Sequence, residues 1–263
     1  MKTRNNLYTL ITGASCGLGK ELAIECARRE MNLVLVSLPG ENLPAFCAQL
    51  SETYPISAYG YEIDLTDMAE VEKLATHVIA NFSVNMLINN AGIGGTQAFE
   101  TTSIEYIDRL IQLNIRATSI LVRLMIPELK MQRKAYILNV SSMAAFAPLP
   151  YKTVYPASKA FIYHFTRGLK AELKNTNIKV SVVNPGPIMT NPEVIRRILK
   201  QGALARLALI PASSIARISL HNLIRGKAVI IPGYLNRLNV FLMSLIPSEL
   251  RLTLSSRIIQ REL

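Results

Sequence analysis

Cysteine is scarce in this 263-residue chain: Cys16, Cys26 and Cys47 are the only three, all in its first fifth. An odd number without C-x-x-C spacing argues against a disulfide framework or a thiolate metal site and reads as reduced thiols. Histidine is as sparse: His77, His164 and His221 fall on helical segments without partner spacing, so no metal site is expected. Acids are outnumbered, 18 Asp and Glu against 29 Lys and Arg, and the net charge of +11 favours anionic partners such as phosphorylated cofactors, acyl carriers or acidic lipid. The basic residues are spread along helical segments with no interleaved aromatics, so no nucleic-acid partner is expected. No uninterrupted apolar run reaches the ~18 residues of a membrane span. The opening "MKTRNNLYTLITG" passes from a polar lead directly into a strand, without the apolar core or cleavage site of a secretory leader. Cytoplasmic residence is therefore the expectation.

Half of the residues are hydrophobic, enough for a large core in one domain. Short β-branched runs at 7–12, 33–37, 57–64, 85–92, 135–142, 179–186 and 228–233 read as strands. Amphipathic stretches at about 17–30, 42–53, 67–81, 103–132, 153–175 and 212–225 read as the helices between them. Several strands are apolar throughout, as a sheet covered on both faces requires. The alternation predicts a doubly wound α/β architecture, a mostly parallel seven-stranded sheet. Residues 187–211 break the rhythm, and 234–263 form a basic amphipathic tail, a C-terminal helical extension.

Two stretches carry chemistry. In "TGASCGLGKELA", Gly13, Gly17 and Gly19 lie where the first strand turns into a helix, so the backbone can approach a pyrophosphate and the helix start can hold its charge. In "VYPASKA", Tyr155 and Lys159 stand four apart and share one helix face, with Pro156 confining the pair to a first turn and Thr153 as N-cap. A phenol titrates near pH ~10, so Tyr155 needs a neighbouring cation to exchange protons near neutrality, and Lys159 supplies one. Upstream, Ser141 and Ser142 stand together at a strand end, which taken alone reads as a turn.

Together these motifs resemble the short-chain dehydrogenase/reductase family over about residues 7–230. The resemblance implies a Rossmann-type core and a catalytic tetrad of Asn114, Ser142, Tyr155 and Lys159, with Asn114 holding a water that links Lys159 to solvent. It assigns the cofactor turn to Gly13, Ser15, Gly17, Leu18 and Gly19, an adenine contact to Asp64 and Leu65, and the motif after the fourth strand to Asn90, Ala91 and Gly92. In "NPGPIMT" it assigns Pro185, Gly186, Ile188 and Thr190 to the segment closing over the nicotinamide. Tyr155 and Lys159 also count among the cofactor contacts. Taken alone, Asp64 could equally cap the helix starting near Asp67, and Asn90 could be a turn residue.

The end of the second strand departs from the family. In "VSLPGENL", Ser37, Leu38 and Pro39 stand where an acid for ribose hydroxyls or a base for a 2′-phosphate would, and neither is present. With no repelling acid, and with Ser37 and the N–H groups near Gly40–Asn42 as donors, the expectation is NADP(H) over NAD(H). The amphipathic lid at 187–211 suggests a lipophilic ketone or alcohol, an acyl chain or a steroid-like ring. The expected activity is the NAD(P)(H)-dependent interconversion of the two. A cofactor-binding sensor or interaction protein without turnover is the alternative from another class. The tail, with Leu235, Leu238, Phe241, Leu242 and Leu245 beside Arg237, is expected to contribute to a homo-oligomer, dimer or tetramer, before a peripheral membrane contact, and Pro247 to end its first helix.

Overall fold

A computed structural model describes residues 6–186, 188, 209–246 and 252. Seven strands form one sheet in the order β3-β2-β1-β4-β5-β6-β7, every pairing parallel. They are β1 (Leu7–Thr12), β2 (Asn32–Ser37), β3 (Ala58–Glu62), β4 (Ser83–Asn89), β5 (Ala135–Val140), β6 (Ile178–Val183) and β7 (Val229–Ile230). The helices are α1 (Gly17–Ala27), α2 (Leu43–Thr53), α3 (Met68–Asn81), α4 (Ile104–Ile111), α5 (Thr118–Lys130), α6 (Val154–Glu172), α7 (Ala212–Ile224) and α8 (Tyr234–Leu245). The strand order reverses between β1 and β4, and beside that switch the carboxyl ends of the strands leave a crevice in which open α/β sheets take ligands.

The strands are apolar throughout because each face has its own core. Leu10, Val34, Val36, Leu87, Ile137 and Val180 pack under α3, α5 and α6. Ile11, Leu33, Leu35, Ile88 and Val183 pack under α1, α2 and α7. Cys26 and Cys47 belong to the second core, where burial pushes their thiols up to about 12 and about 11, so they act as small apolar residues.

The long helix expected over 103–132 is broken in character: α4 passes into a π-helical segment, Gln112–Ala117, and then into α5. Such π insertions widen the backbone locally and recur at functional sites. Ile104–Lys130 has the length and hydropathy to cross a membrane, but Leu121, Val122, Met125 and Leu129 are spent in the sheet core. Most of the 187–211 lid, Thr190 and Pro247 lie outside the described residues.

Candidate active site

The glycine turn is fixed to the sheet by a side chain from β4's exit. Asn90 donates both amide hydrogens backwards, to the Thr12 carbonyl at 3.1 Å and the Gly13 carbonyl at 3.0 Å. In return the Thr12 hydroxyl oxygen accepts the N–H groups of Asn90 and Ala91 at 3.0 and 3.1 Å. Asn90 is therefore a brace between two loops, and what it offers a ligand is backbone. Gly13 has φ +64°, and a Cβ there would sit 2.9 Å from the Ala91 Cα. A Cβ on Gly19 would overlap the Gly13 carbonyl oxygen, so helix and strand meet backbone to backbone. Cys16 precedes α1 without a side-chain capping bond, and no acid stands in the first turn. The N–H groups opening α1 are left to a pyrophosphate, and the residues present fit a dinucleotide. Leu18 faces the core, so its contribution there is its backbone.

The second cluster of candidate residues forms where β5 and α6 meet. Tyr155 is the second residue of α6, and Pro156 follows it in the first turn, where a missing N–H costs nothing. Thr153 stands at the cap position but in helical conformation and makes no side-chain capping bond, so proline geometry starts this helix. The Ser142 hydroxyl lies beside the Tyr155 phenol, close enough to act on its titration. Burial raises the phenol above its usual range and Ser142 partly offsets this. The Ser142 oxygen also accepts the Ala144 N–H at 3.1 Å, which fixes it at the start of a 3-10 turn, Met143–Phe146. Ser141 points away and donates to the Lys159 carbonyl at 2.7 Å, so it holds α6 against β5.

Lys159 is only 5 % exposed. Its Nζ donates to the Val140 carbonyl at 3.1 Å and lies 5.8 Å from the centroid of the Tyr155 ring. Burial lowers its pKa to about 8. Asn114 sits in the π-helical segment, and its amide pairs with one residue of the β4 exit loop: Oδ1 accepts the Ile93 N–H and Nδ2 donates to the Ile93 carbonyl, both at 2.9 Å. The second Nδ2 hydrogen goes to Ser158 Oγ at 3.0 Å. The side chain expected to hold water thus has no hydrogen to spare; its second Oδ1 lone pair and the loosened π-helical backbone are what remain for one. A Cβ on Gly92 would meet Asn114 Oδ1 at 3.0 Å and Lys159 Nζ at 3.2 Å, which brings these two tetrad members to one point.

Around the tetrad, Gly94 lies flat on Tyr155: a Cβ there would fall 2.5 Å from Cδ2 of the ring. Beyond it a cavity of about 230 Å³ opens beside Tyr155, walled by Phe99, Tyr106, Ile107, Leu110 and Tyr151. On the opposite side the Met143 N–H donates to the Pro185 carbonyl at 2.9 Å, and Ile188 bridges to Ile210. Gly186 packs against Asn236 of α8, whose amide would stand 2.8 Å from a Cβ at that position. Asn236 is 2 % exposed and donates to the Pro232 carbonyl at 2.9 Å, so the tail helix is pinned beside the Pro185–Gly186 segment.

At the adenosine end, Asp67 is the cap of α3 and Asp64 is not: Asp67 accepts the N–H groups of Ala69 and Glu70, while Asp64 Oδ1 accepts from the Thr66 N–H at 2.9 Å and hydroxyl at 2.8 Å. Asp64 Oδ2 lies 3.8 Å from Arg109. Leu65 is a core residue. Of the donors that favoured NADP(H), Ser37 Oγ donates to the Leu38 carbonyl at 3.1 Å, and the Gly40 N–H to Glu62 at 3.2 Å.

A profile of the short chain dehydrogenases matches residues 8–197. The chain belongs to the short-chain dehydrogenase family. It is 32 % identical over 197 residues to a very-long-chain 3-oxoacyl-CoA reductase of Anas platyrhynchos, 72 % of this chain and 62 % of that protein. The match spans about 60 % of the length of such curated relatives. Among solved structures, the bulky-bulky ketone specific alcohol dehydrogenase from Comamonas testosteroni is 29 % identical with TM-score 0.76, covering 93 % of this chain and 96 % of that one. A short-chain dehydrogenase from Sphingobium yanoikuyae in complex with NADPH is 30 % identical with TM-score 0.76, covering 91 % and 96 %.

Within this dehydrogenase fold, Asn114, Ser142, Tyr155 and Lys159 lie together at one corner of the crevice. Sequence reasoning missed four partners: Gly94 under the Tyr155 ring, Ser158 behind Asn114, Asn236 against Gly186, and Glu62 in the β2 loop. The glycine pair in "GIGG" after Gly92 was a usable signal for the first. The other three are contacts between segments 22 to 50 residues apart, for which the sequence carries no periodic sign.

Proposed function

We propose that this chain is a nicotinamide-dependent oxidoreductase that interconverts a ketone and a secondary alcohol on a lipophilic substrate, with Tyr155 as the general acid and base. The observation that carries the reading is the Tyr155–Ser142 hydroxyl pair with Lys159 buried behind it. A bound dinucleotide would supply or accept the hydride; Gly13, Gly17 and Gly19 would hold its pyrophosphate and Lys159 would face its ribose. In the reductive direction Tyr155 passes its proton to the substrate oxygen. Burial keeps the phenol protonated, the form this direction needs, and Ser142 orients the oxygen and shares its developing charge. Lys159, with a pKa lowered to about 8, exchanges protons near neutrality and recharges the phenol.

The apolar and aromatic walls beside Tyr155 support a bulky, lipophilic carbonyl compound, a 3-oxoacyl chain or a steroid-like ring. The reductase and the ketone-specific alcohol dehydrogenase to which the chain is similar support the same class. Ile104 and Ile111 on α4 and Phe161 on α6 are exposed, and support association of copies into a dimer or tetramer. The dinucleotide is NAD(H) or NADP(H). The missing acid at the end of β2 favours NADP(H), and the engaged Ser37 and Gly40 donors weigh against it. The test is a panel of 3-oxoacyl, steroid and aryl ketones with NADPH and NADH, followed by loss of reduced-nicotinamide absorbance. Turnover of a bulky ketone is expected; dinucleotide binding without turnover across the panel would favour the sensor reading.

A further inference from the structure

The loop from β2 to α2 is built to hold an anion and already contains one. Gly40 and Asn42 have φ of 82° and 56°, and such left-handed residues turn nearby N–H groups to one side, a concave nest suited to negative charge. Its occupant is Glu62. The Gly40 N–H donates to one carboxylate oxygen at 3.2 Å and the Leu43 N–H to the other at 3.0 Å. Glu62 ends β3 and pairs in register with Ser37, the last residue of β2, so its carboxylate reaches the loop from the neighbouring strand. Among the described residues no lysine or arginine forms an ion pair with it.

We propose that Glu62 sets the cofactor preference of this site, selecting NAD(H) against NADP(H). The proposal rests on the dinucleotide reading above. In an open α/β sheet of this order the adenosine ribose lies at the carboxyl end of β2, where an acid bonds ribose hydroxyls. This chain has Ser37, Leu38 and Pro39 there, and the fold brings the acid from β3 instead. A 2′-phosphate carries a charge of about −1.5 to −2 and seeks N–H donors. In this loop it meets the Gly40 and Leu43 N–H groups already given to Glu62, and a carboxylate of its own sign. A 2′-hydroxyl meets no such penalty, because it is neutral and a carboxylate has about four acceptor positions, of which two are filled here. If Glu62 served only to cap α2 from a distance, its removal would weaken the fold and leave discrimination unchanged.

The experiment is calorimetric titration of the full chain and of Glu62→Gln with NADH and NADPH. Wild type is expected to bind NADH more tightly. Glu62→Gln is expected to narrow the difference about tenfold or more, chiefly by tightening NADPH, as loss of one like charge at short range allows. A parallel change for both cofactors would show Glu62 to be structural and overturn the proposal while leaving the oxidoreductase reading intact. Tighter NADPH binding by wild type would also overturn it, a measurement that stands even where the variant does not fold. Wild-type protein that binds neither dinucleotide would overturn the oxidoreductase reading itself, and the assignment of Glu62 with it.

Discussion

The carboxyl ends of β4, β5 and β6 and those of β2 and β3 are parts of one crevice built by different means. At the first, polar side chains are held by backbone partners: Asn114 by Ile93, Ser142 by Ala144 in its own turn, Lys159 by Val140 of the neighbouring strand. At the second, Ser37, Leu38 and Pro39 leave the end of β2 uncharged, and the loop that follows is organised by Glu62 from the next strand. The proposed catalytic end should therefore tolerate little change, because a reaction there needs reacting atoms held within a fraction of an ångström. The adenosine end carries discrimination, which is a difference between two affinities and can be altered without touching the chemistry.

The largest expected effect separates the two ends outright. Tyr155→Phe keeps the ring that rests on Gly94 and removes the proton, so turnover should fall about 10³-fold or more while cofactor affinity stays within a few-fold. Steady-state rates and cofactor titration on the same preparation measure both. A variant turning over near the parental rate would remove Tyr155 from its role.

Lys159 offers a pH-dependent contrast. Its folded pKa is about 8 against an ordinary 10.5, so the folded state pays to keep the ammonium charged and the unfolded chain does not. Below pH 8 that cost is present in full. As pH rises from 8 to 10.5 the folded protein gives up the proton first, the unfolded chain binds more protons, and stability rises across that window. The gain approaches roughly 3 kcal/mol by linkage. Wild type and Lys159→Met should therefore converge in relative stability along that range, with the methionine variant ahead at neutral pH. Denaturant melts at a series of pH values test this, and a constant difference between the two proteins would contradict it.

Gly94→Ala probes the catalytic end without removing a functional group. A methyl at that position stands 2.5 Å from the Tyr155 ring and must displace it or the loop. A kcat loss of about 10 to 100-fold is expected from a displacement of this kind, with cofactor affinity nearly unchanged. A tighter substrate KM with intact kcat would mean that the loop yields in place of the ring.

How much of this was readable from the chain follows the distance between partners. Tyr155 and Lys159 declare themselves because one helical turn fixes their relation, and the glycine turn because strand and helix flank it directly. The seven strands were found within a few residues of their observed limits, since a doubly covered parallel sheet demands unbroken apolar runs. The π-helical segment was not, because its sequence keeps the amphipathic period of an ordinary helix. Asn114 was recognised, but its pairing with the Ile93 backbone 21 residues away was not, because only the folded topology brings them near. Thr153 failed as a side-chain cap because its own backbone is already helical. Glu62 lies in a strand whose sequence gives no reason to connect it with a loop 22 residues earlier.

The smallest expected effect returns to the adenosine end and asks whether its two acids do different things. Asp64 is half-exposed; one oxygen is occupied by Thr66 and the other lies 3.8 Å from Arg109. An ion pair so exposed contributes ~0–1 kcal/mol, so Asp64→Ala should leave the fold stable. By the family resemblance Asp64 meets the adenine amino group, which NAD(H) and NADP(H) share. Its loss should weaken both cofactors alike, by about 3 to 10-fold, as removal of one charge-assisted hydrogen bond in a partly solvated site does. The ratio of the two dissociation constants should stay as in wild type, whereas Glu62→Gln is expected to move it. Titration of both variants with both cofactors separates an acid that reads the base from an acid that reads the ribose. A change in ratio for Asp64→Ala would merge the two roles, and with them the distinction drawn between a shared adenine contact and a cofactor-selecting charge.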